Sequence, residues 1–169
     1  FDTKGQFLGM VGVNTDVTEH RDFEQKLKLQ ALLLQHMTEG VSLSDEDGRI
    51  VFTNKAEDLL FGYEEGELMG QHVSIQNAYS EDENKAIVSA VIDTLRHVGV
   101  WTGDWPNRRK DGSEFISASS ITRVELGGKL HFLCVQRDVT KERIIQKEHR
   151  ATAVLLNLAL SAAGLGHWI

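Results

Sequence analysis

Few side chains in this 169-residue chain have chemistry to offer: one thiol, Cys134, seven histidines, and the serine-rich stretch Ser117-Ala118-Ser119-Ser120. A lone cysteine allows neither an internal disulfide nor a thiolate metal cage. No serine or cysteine stands beside the base that an activated nucleophile requires, and no glycine-rich loop is spaced to cradle phosphate. Carboxylates and histidines do not recur at metal-ligand spacing. Neither catalysis nor a metal site is therefore expected. The chemistry that remains is binding. In "EFISASSITRV" the small side chains of Ser117, Ala118 and Ser119, facing the inner side of a sheet, would leave volume and supply hydroxyl partners for a small organic ligand. They serve tight helix–sheet packing equally well. Trp101 and Trp105 share a strand face and would floor either a pocket or a dry core, and Phe132, Cys134 and Gln136 alternate along one face of another strand.

Positioning these residues is the task of the elements around them. "VSLSDEDGRIVFTN" places β-branched and apolar residues on both sides of Asp47-Gly48, a pair suited to a tight hairpin, so two short antiparallel strands follow. Asn54 and Glu57 have the spacing of a capping box, which predicts a helix from Lys55 that Gly62 ends. Ser80 and Glu83 repeat the device ahead of "KAIVSAVIDTLRHVG", where Ile87, Val91 and Leu95 form a stripe flanked by Val88 and Ile92. After Gly99 the period becomes two, and three further strands are predicted, separated by Lys110-Asp111-Gly112-Ser113 and Leu126-Gly127-Gly128-Lys129. The fold class is α+β: a five-stranded antiparallel sheet with helices on one face, flanked by linker helices. Leu133 and Val135 point away from those helices, so the other face also needs a cover.

Composition narrows the partners. Eighteen Lys and Arg stand against 25 Asp and Glu, a net charge of −7, which argues against nucleic acid. The longest apolar run is far short of the roughly eighteen residues of a membrane span, and direct membrane contact is not expected. A single cysteine fits a reducing, cytoplasmic setting, either as a soluble protein or as the cytoplasmic part of a larger membrane-associated one.

One phrase occurs twice: "VNTDVTEHR" around Asp16 and "VQRDVTKER" around Asp138. Together with "NKAEDLLFGYEEGELMG" and "GVWTGDWPNRRKDGSEF", it resembles the successive signatures of PAS domains, in the right order across about residues 31–140. The resemblance implies one complete PAS domain over 38–140, the tail of an upstream one over 1–18, linker helices over 19–37 and 141–160, and the start of a downstream one over 161–169. It further implies a sensory or relay module of a multidomain signalling protein such as a sensor histidine kinase. Its partners would be neighbouring PAS and output domains, and any catalytic output would lie outside this chain. Asp-x-Thr in such proteins connects the last strand to an output helix, which makes Asp138 and Thr140, with Asp16 and Thr18 in the first copy, the expected signal-transmission residues. Asp16 and Asp138 read as caps of the departing helices, with Thr140 sharing the capping at the second junction.

The resemblance also implies a pocket between helices and sheet, whose expected lining is Ser117, Ala118, Ser119, Trp101, Phe132, Cys134 and Gln136. No cofactor is expected there. Val73 stands where a flavin photosensor carries its reactive cysteine, although Gln136 occupies the strand position of a flavin-reading glutamine. The haem candidates His72 and His97 read as capping or surface residues. His20 and His149 lack the flanking residues of a phosphoacceptor histidine. Phe23, Leu27, Leu34 and Met37 follow a heptad, with Ile145 and Leu156 at matching places in the second linker. A parallel homodimer is expected from this seam, the alternative being a helix laid back on its own sheet. A ligand-free dimerisation and spacer module is the alternative function.

Overall fold

The computed structural model describes residues 18–162. The predicted upstream tail, with Asp16, and the last seven residues lie outside the described residues, as does the side chain of Thr18. The chain divides into two units, residues 1–33 and 34–169. In the first, helix α1 (Thr18–His36) begins, and Phe23, Leu29 and Leu33 along it are exposed by 58 % or more. No helix among the described residues is long and apolar enough to cross a membrane.

The second unit is built on five antiparallel strands: β1 (Gly40–Asp45), β2 (Ile50–Thr53), β3 (Val100–Arg108), β4 (Glu114–Leu126) and β5 (Lys129–Asp138). Their order across the sheet is β2-β1-β5-β4-β3. Hairpins join β1 to β2, β3 to β4 and β4 to β5, and β5 pairs with β1 in the middle, Gln136 opposite Gly40 and Cys134 opposite Ser42. The turns fall where glycine permits positive φ: Gly48 at 77° closes the first hairpin, and Gly127 and Gly128 close the last.

Helices α2 (Lys55–Phe61) and α3 (Glu81–His97) cover one face of the sheet, with a 3-10 turn, Val73–Gln76, between them. Helix α3 starts as expected: Glu83 Oε2 accepts from the Ser80 amide at 3.1 Å and from its hydroxyl at 2.5 Å. Its stripe then packs Val91 and Leu95 against Trp105 and Phe132, with Ile87, Val88, Trp101, Ile121 and Leu130 partly buried around them. A second apolar patch lies under α2, where Phe61 meets Phe115 edge-on at 5.2 Å. Helix α4 (Thr140–Ala162) departs from the end of β5 and has no buried residue; Ile145 and Leu156 are exposed by 52 % and 58 %. Its apolar positions therefore do not lie back on the sheet, which removes the alternative of a folded-back helix for this linker.

Candidate functional site

Asn54 caps α2 as its spacing predicts: its Oδ1 accepts from the Glu57 amide at 2.9 Å and from the Val41 amide at 2.9 Å. The other half of the predicted capping box is corrected by the structure. The Glu57 side chain does not return to the cap but turns into the interior, where it is fully buried. Glu57 and Phe61 stand four apart and so share the helix face that packs on the sheet. Once there, the carboxylate finds amides: its Oε1 accepts from Gln76 Nε2 at 2.9 Å and from Gln136 Nε2 at 2.8 Å. Its Oε2 has no partner of good geometry. Burial pushes the Glu57 carboxyl up to about 7, against the opposing pull of Gln76, Gln136 and the nearby Ser42.

Gly40 shows how closely this carboxyl is enclosed. A Cβ at Gly40 would stand 2.2 Å from Glu57 Oε2, 3.2 Å from Glu57 Cα and 3.3 Å from Leu60 Cδ2. Gly40→Ala is therefore expected to cost about 1–3 kcal/mol of stability by overpacking. Urea denaturation should show that Glu57→Ala in the same chain recovers part of this loss. Additive costs would mean that the two residues do not meet.

From Glu57 a polar line crosses the sheet. Gln136 Oε1 accepts from Ser119 Oγ at 3.2 Å, Ser119 and Ser117 hydroxyls stand 2.8 Å apart, and Asn107 Nδ2 donates to Ser117 Oγ at 2.7 Å. A second short line runs from Trp105 Nε1 to Asn77 Oδ1 at 2.9 Å and from Asn77 Nδ2 to Asn84 Oδ1 at 2.6 Å. Between these lines and α3 lies a cavity of about 110 Å³. Its apolar wall is Val88, Val91, Ile92, Leu95, Ile121 and Phe132, and its polar end is Ser42, Gln76, Asn107, Ser119 and Gln136.

The expected pocket residues divide accordingly. Ser119, Phe132, Cys134 and Gln136 line the cavity. Ser117 is buried in the hydrogen-bonded line behind it. Ala118 is corrected: by strand alternation it lies on the opposite face, beside Thr102, Ser120 and Val135. Trp101 is also corrected, since Trp105 lines the cavity and Trp101 packs edge-on against it at 5.3 Å. Burial pushes the Cys134 thiol far up, which keeps it protonated and unreactive at neutral pH. His72 borders the cavity with its Nδ1 2.8 Å from Ser74 Oγ, capping the 3-10 turn, while His97 lies at the exposed end of α3 with its Nδ1 2.7 Å from Asp93 O. Among the described residues there is no cluster of three or more His, Cys, Asp or Glu able to hold a metal ion.

The junction after β5 is tied in three ways. Asp138 Oδ1 accepts from the Thr140 amide at 2.9 Å, a local turn that starts α4. Thr140 does not share that capping as predicted; its Oγ1 accepts from the Ile116 amide at 2.9 Å and fastens α4 to β4. The third tie, Arg109, was not anticipated. Its Nη2 donates to Asp138 Oδ2 at 2.6 Å, its Nη1 to the carbonyl of Leu60, and its guanidinium lies 4.0 Å over the Phe115 ring. Together with Lys110 N, which donates to Phe61 O at 2.9 Å, it satisfies carbonyls at the C-terminus of α2. Burial disfavours the charged Asp138, but the Thr140 and Arg109 hydrogen bonds outweigh it and hold the carboxyl below the usual range. One turn into α4, Arg143 pairs with Asp104 of β3 through bonds of 2.5 Å and 2.8 Å.

The sequence profile of the PAS domain matches residues 38–141 of this chain. The nitrogen fixation regulatory protein of Klebsiella oxytoca is 24% identical over 131 residues, covering 76% of this chain and 26% of that protein. The signal transduction histidine-protein kinase AtoS of Escherichia coli is 25% identical over 142 residues, covering 82% of this chain and 22% of that protein. The chain thus spans about a quarter of the length of these relatives. Among solved structures, the PAS domain of a protein from Colwellia psychrerythraea matches with a TM-score of 0.63 and 26% identity over 69% of this chain and 98% of that one. Sheet order, helix placement and profile agree, and the chain belongs to the PAS domain family, the sensory modules of signalling proteins such as histidine kinases and regulators.

Proposed function

We propose that the domain senses a small molecule in the cavity and passes its occupancy through Asp138-Val139-Thr140 to α4. One observation carries the reading: Gln136 lines the cavity and lies two residues before Asp138 on the same strand. A ligand that moves Gln136 therefore pulls on the strand whose end holds α4. The cavity of about 110 Å³ is smaller than the roughly 150 Å³ that accommodates benzene, so it suits a ligand smaller than benzene, not a flavin or haem. Ser119→Leu should fill the cavity and abolish a ligand response, whereas Ala118→Leu, on the opposite face, should leave it intact. Titrating the purified variants with ligand, alongside native mass spectra and absorption spectra of the unmutated chain, tests this. Equal behaviour of the two variants counts against an occupied cavity.

The second reading, a dimerising spacer in a cytoplasmic relay, draws on the exposed apolar positions of the linkers, Phe23 and Leu27 in α1 and Ile145, Leu155 and Leu156 in α4. In that reading the helices form a parallel seam between two copies, beside neighbouring PAS and output domains. Leu27→Glu with Leu34→Glu is expected to yield folded monomers. Light scattering that finds the unmutated chain monomeric at tens of micromolar, roughly the range in which a modest interface holds, removes the seam.

A further inference from the structure

A surface groove along α3 adjoins the cavity, and the two spaces share three side chains: His72, Val88 and Ile92. Val88 and Ile92 stand four apart on one face of α3, while His72 lines both spaces from the foot of the 3-10 turn. The seam between turn and helix is tied at the Asn84 end. There Asn77 Nδ2 donates to Asn84 Oδ1 at 2.6 Å and Asn84 Nδ2 to Ser74 O at 3.4 Å. Towards Val88 and Ile92 the His72 side chain makes no hydrogen bond to α3; its partner is Ser74. The backbone beneath it is fixed, because His72 bridges to Arg49 and the Val73 amide donates to Gly48 O at 2.9 Å. Val88 and Ile92 are β-branched and hold one rotamer on a helix. The part of this mouth that can move is therefore the imidazole.

Two contacts hold that ring in place. Its Nδ1 lies 2.8 Å from Ser74 Oγ and accepts from the Ser74 amide at 3.2 Å. Its far edge lies against Gly48, which also lines the cavity: a Cβ at Gly48 would stand 2.8 Å from His72 Nε2. We propose that small molecules enter and leave the cavity through the seam between the 3-10 turn and α3, and that His72 gates it, its ring swinging off Ser74 and Gly48 to open the mouth. The inference rests on the sensory reading above and deepens it by giving the ligand its route. An exposed side chain free of such contacts changes rotamer within nanoseconds, so the contacts to Ser74 and Gly48 set how long the mouth stays shut. The groove outside carries Glu81 and Asp93 against Lys85 and Arg96, and no Asp, Glu, Lys or Arg lines the cavity. This route therefore attracts ions of neither sign and serves uncharged molecules. His72 is a positioning residue for traffic, not for affinity: a gate changes entry and exit by the same factor.

Trifluoroethanol is uncharged, smaller than benzene and visible by fluorine NMR, which reads both its affinity and its exchange rates on the 169-residue chain. In His72→Ala, association and dissociation should both quicken about tenfold while Kd stays within about twofold. Ser74→Ala, which removes the hydroxyl contact and keeps the amide one, should quicken both about threefold, and Ser74→Thr should restore the original rates. Ile75→Ala serves as the control, since Ile75 stands on the same turn and lines neither space. Rates unchanged in His72→Ala, faster dissociation with a matching loss of affinity, or the same quickening in Ile75→Ala overturns the gate and leaves the sensory reading standing. The Ser74 pair decides the matter if His72→Ala does not fold. Absence of trifluoroethanol binding to the unmutated chain at about 10 millimolar, a very weak affinity, overturns both.

Discussion

Glu57→Gln is expected to make the domain more stable at pH 8 and to leave it nearly unchanged at about pH 4.5 and below. The carboxyl is fully buried and raised from its ordinary value of 4.5 to about 7, chiefly by burial. A carboxyl raised in the folded state binds its proton there while the unfolded chain has already released it. Its stabilisation is therefore complete below the unfolded value, is lost as pH rises through the folded one, and stays lost above it. The span from 4.5 to about 7 corresponds to about 3 kcal/mol, a large share of the roughly 5–15 kcal/mol of a whole domain. Glutamine keeps the oxygen that accepts from Gln76 and Gln136 and removes the charge, placing its own NH2 towards Ser42. Thermal melts at intervals between pH 4.5 and 8.5 should give a difference between variant and unmutated chain that grows up to about pH 7 and then levels, reaching roughly 5–10 °C. Taking the difference cancels the other titrating groups. Parallel melting curves would show that Glu57 is solvated or stays neutral throughout.

This residue also shows where sequence reading stops. The Asp47-Gly48 turn, the caps at Asn54 and Ser80, the α3 stripe and the period-two strands are local signals, and local hydrogen bonding or burial determines each of them. Glu57 looked accounted for because its spacing from Asn54 completes a capping box. Its distance of four from Phe61 was the competing signal, and packing prevailed over capping. Ser117, Ala118 and Ser119 were legible as a small-residue strand. Which of them reach the cavity depends on register, Ser119 opposite Gln136, and that is a property of the paired sheet. The same holds for Trp101 and Trp105, whose shared face is visible in sequence while the position of α3 above them is not.

Arg109 is the clearest case of a long-range role, and its removal should loosen the junction more than loss of any cap. Arg109→Ala deletes the bond to Asp138, the bond to the Leu60 carbonyl and the contact over Phe115 together. The pair is partly exposed, with side chains 26% and 35% accessible, so solvent screening limits the ionic share. The carbonyl at the end of α2 and the Asp138 carboxylate are nevertheless both left short of a donor, a cost of about 1–3 kcal/mol. Asp138→Ala removes only the turn to Thr140 and one side of the pair, which puts its cost nearer about 1 kcal/mol. Both chains should fold, because Thr140 still holds Ile116 and Arg143 still holds Asp104. Hydrogen exchange should locate the damage: the amides of Val139 and Arg143, bonded to Ile116 O and Val139 O, are expected to exchange about tenfold faster in Arg109→Ala, with β1 and β2 unchanged. The double variant should cost less than the sum of the singles, since each already breaks the shared bond. In the full-length protein both variants are expected to uncouple output from stimulus while the domain remains folded. An unaltered output response, or exchange that rises evenly across the sheet, would show that Arg109 and Asp138 only support the fold and carry no signal.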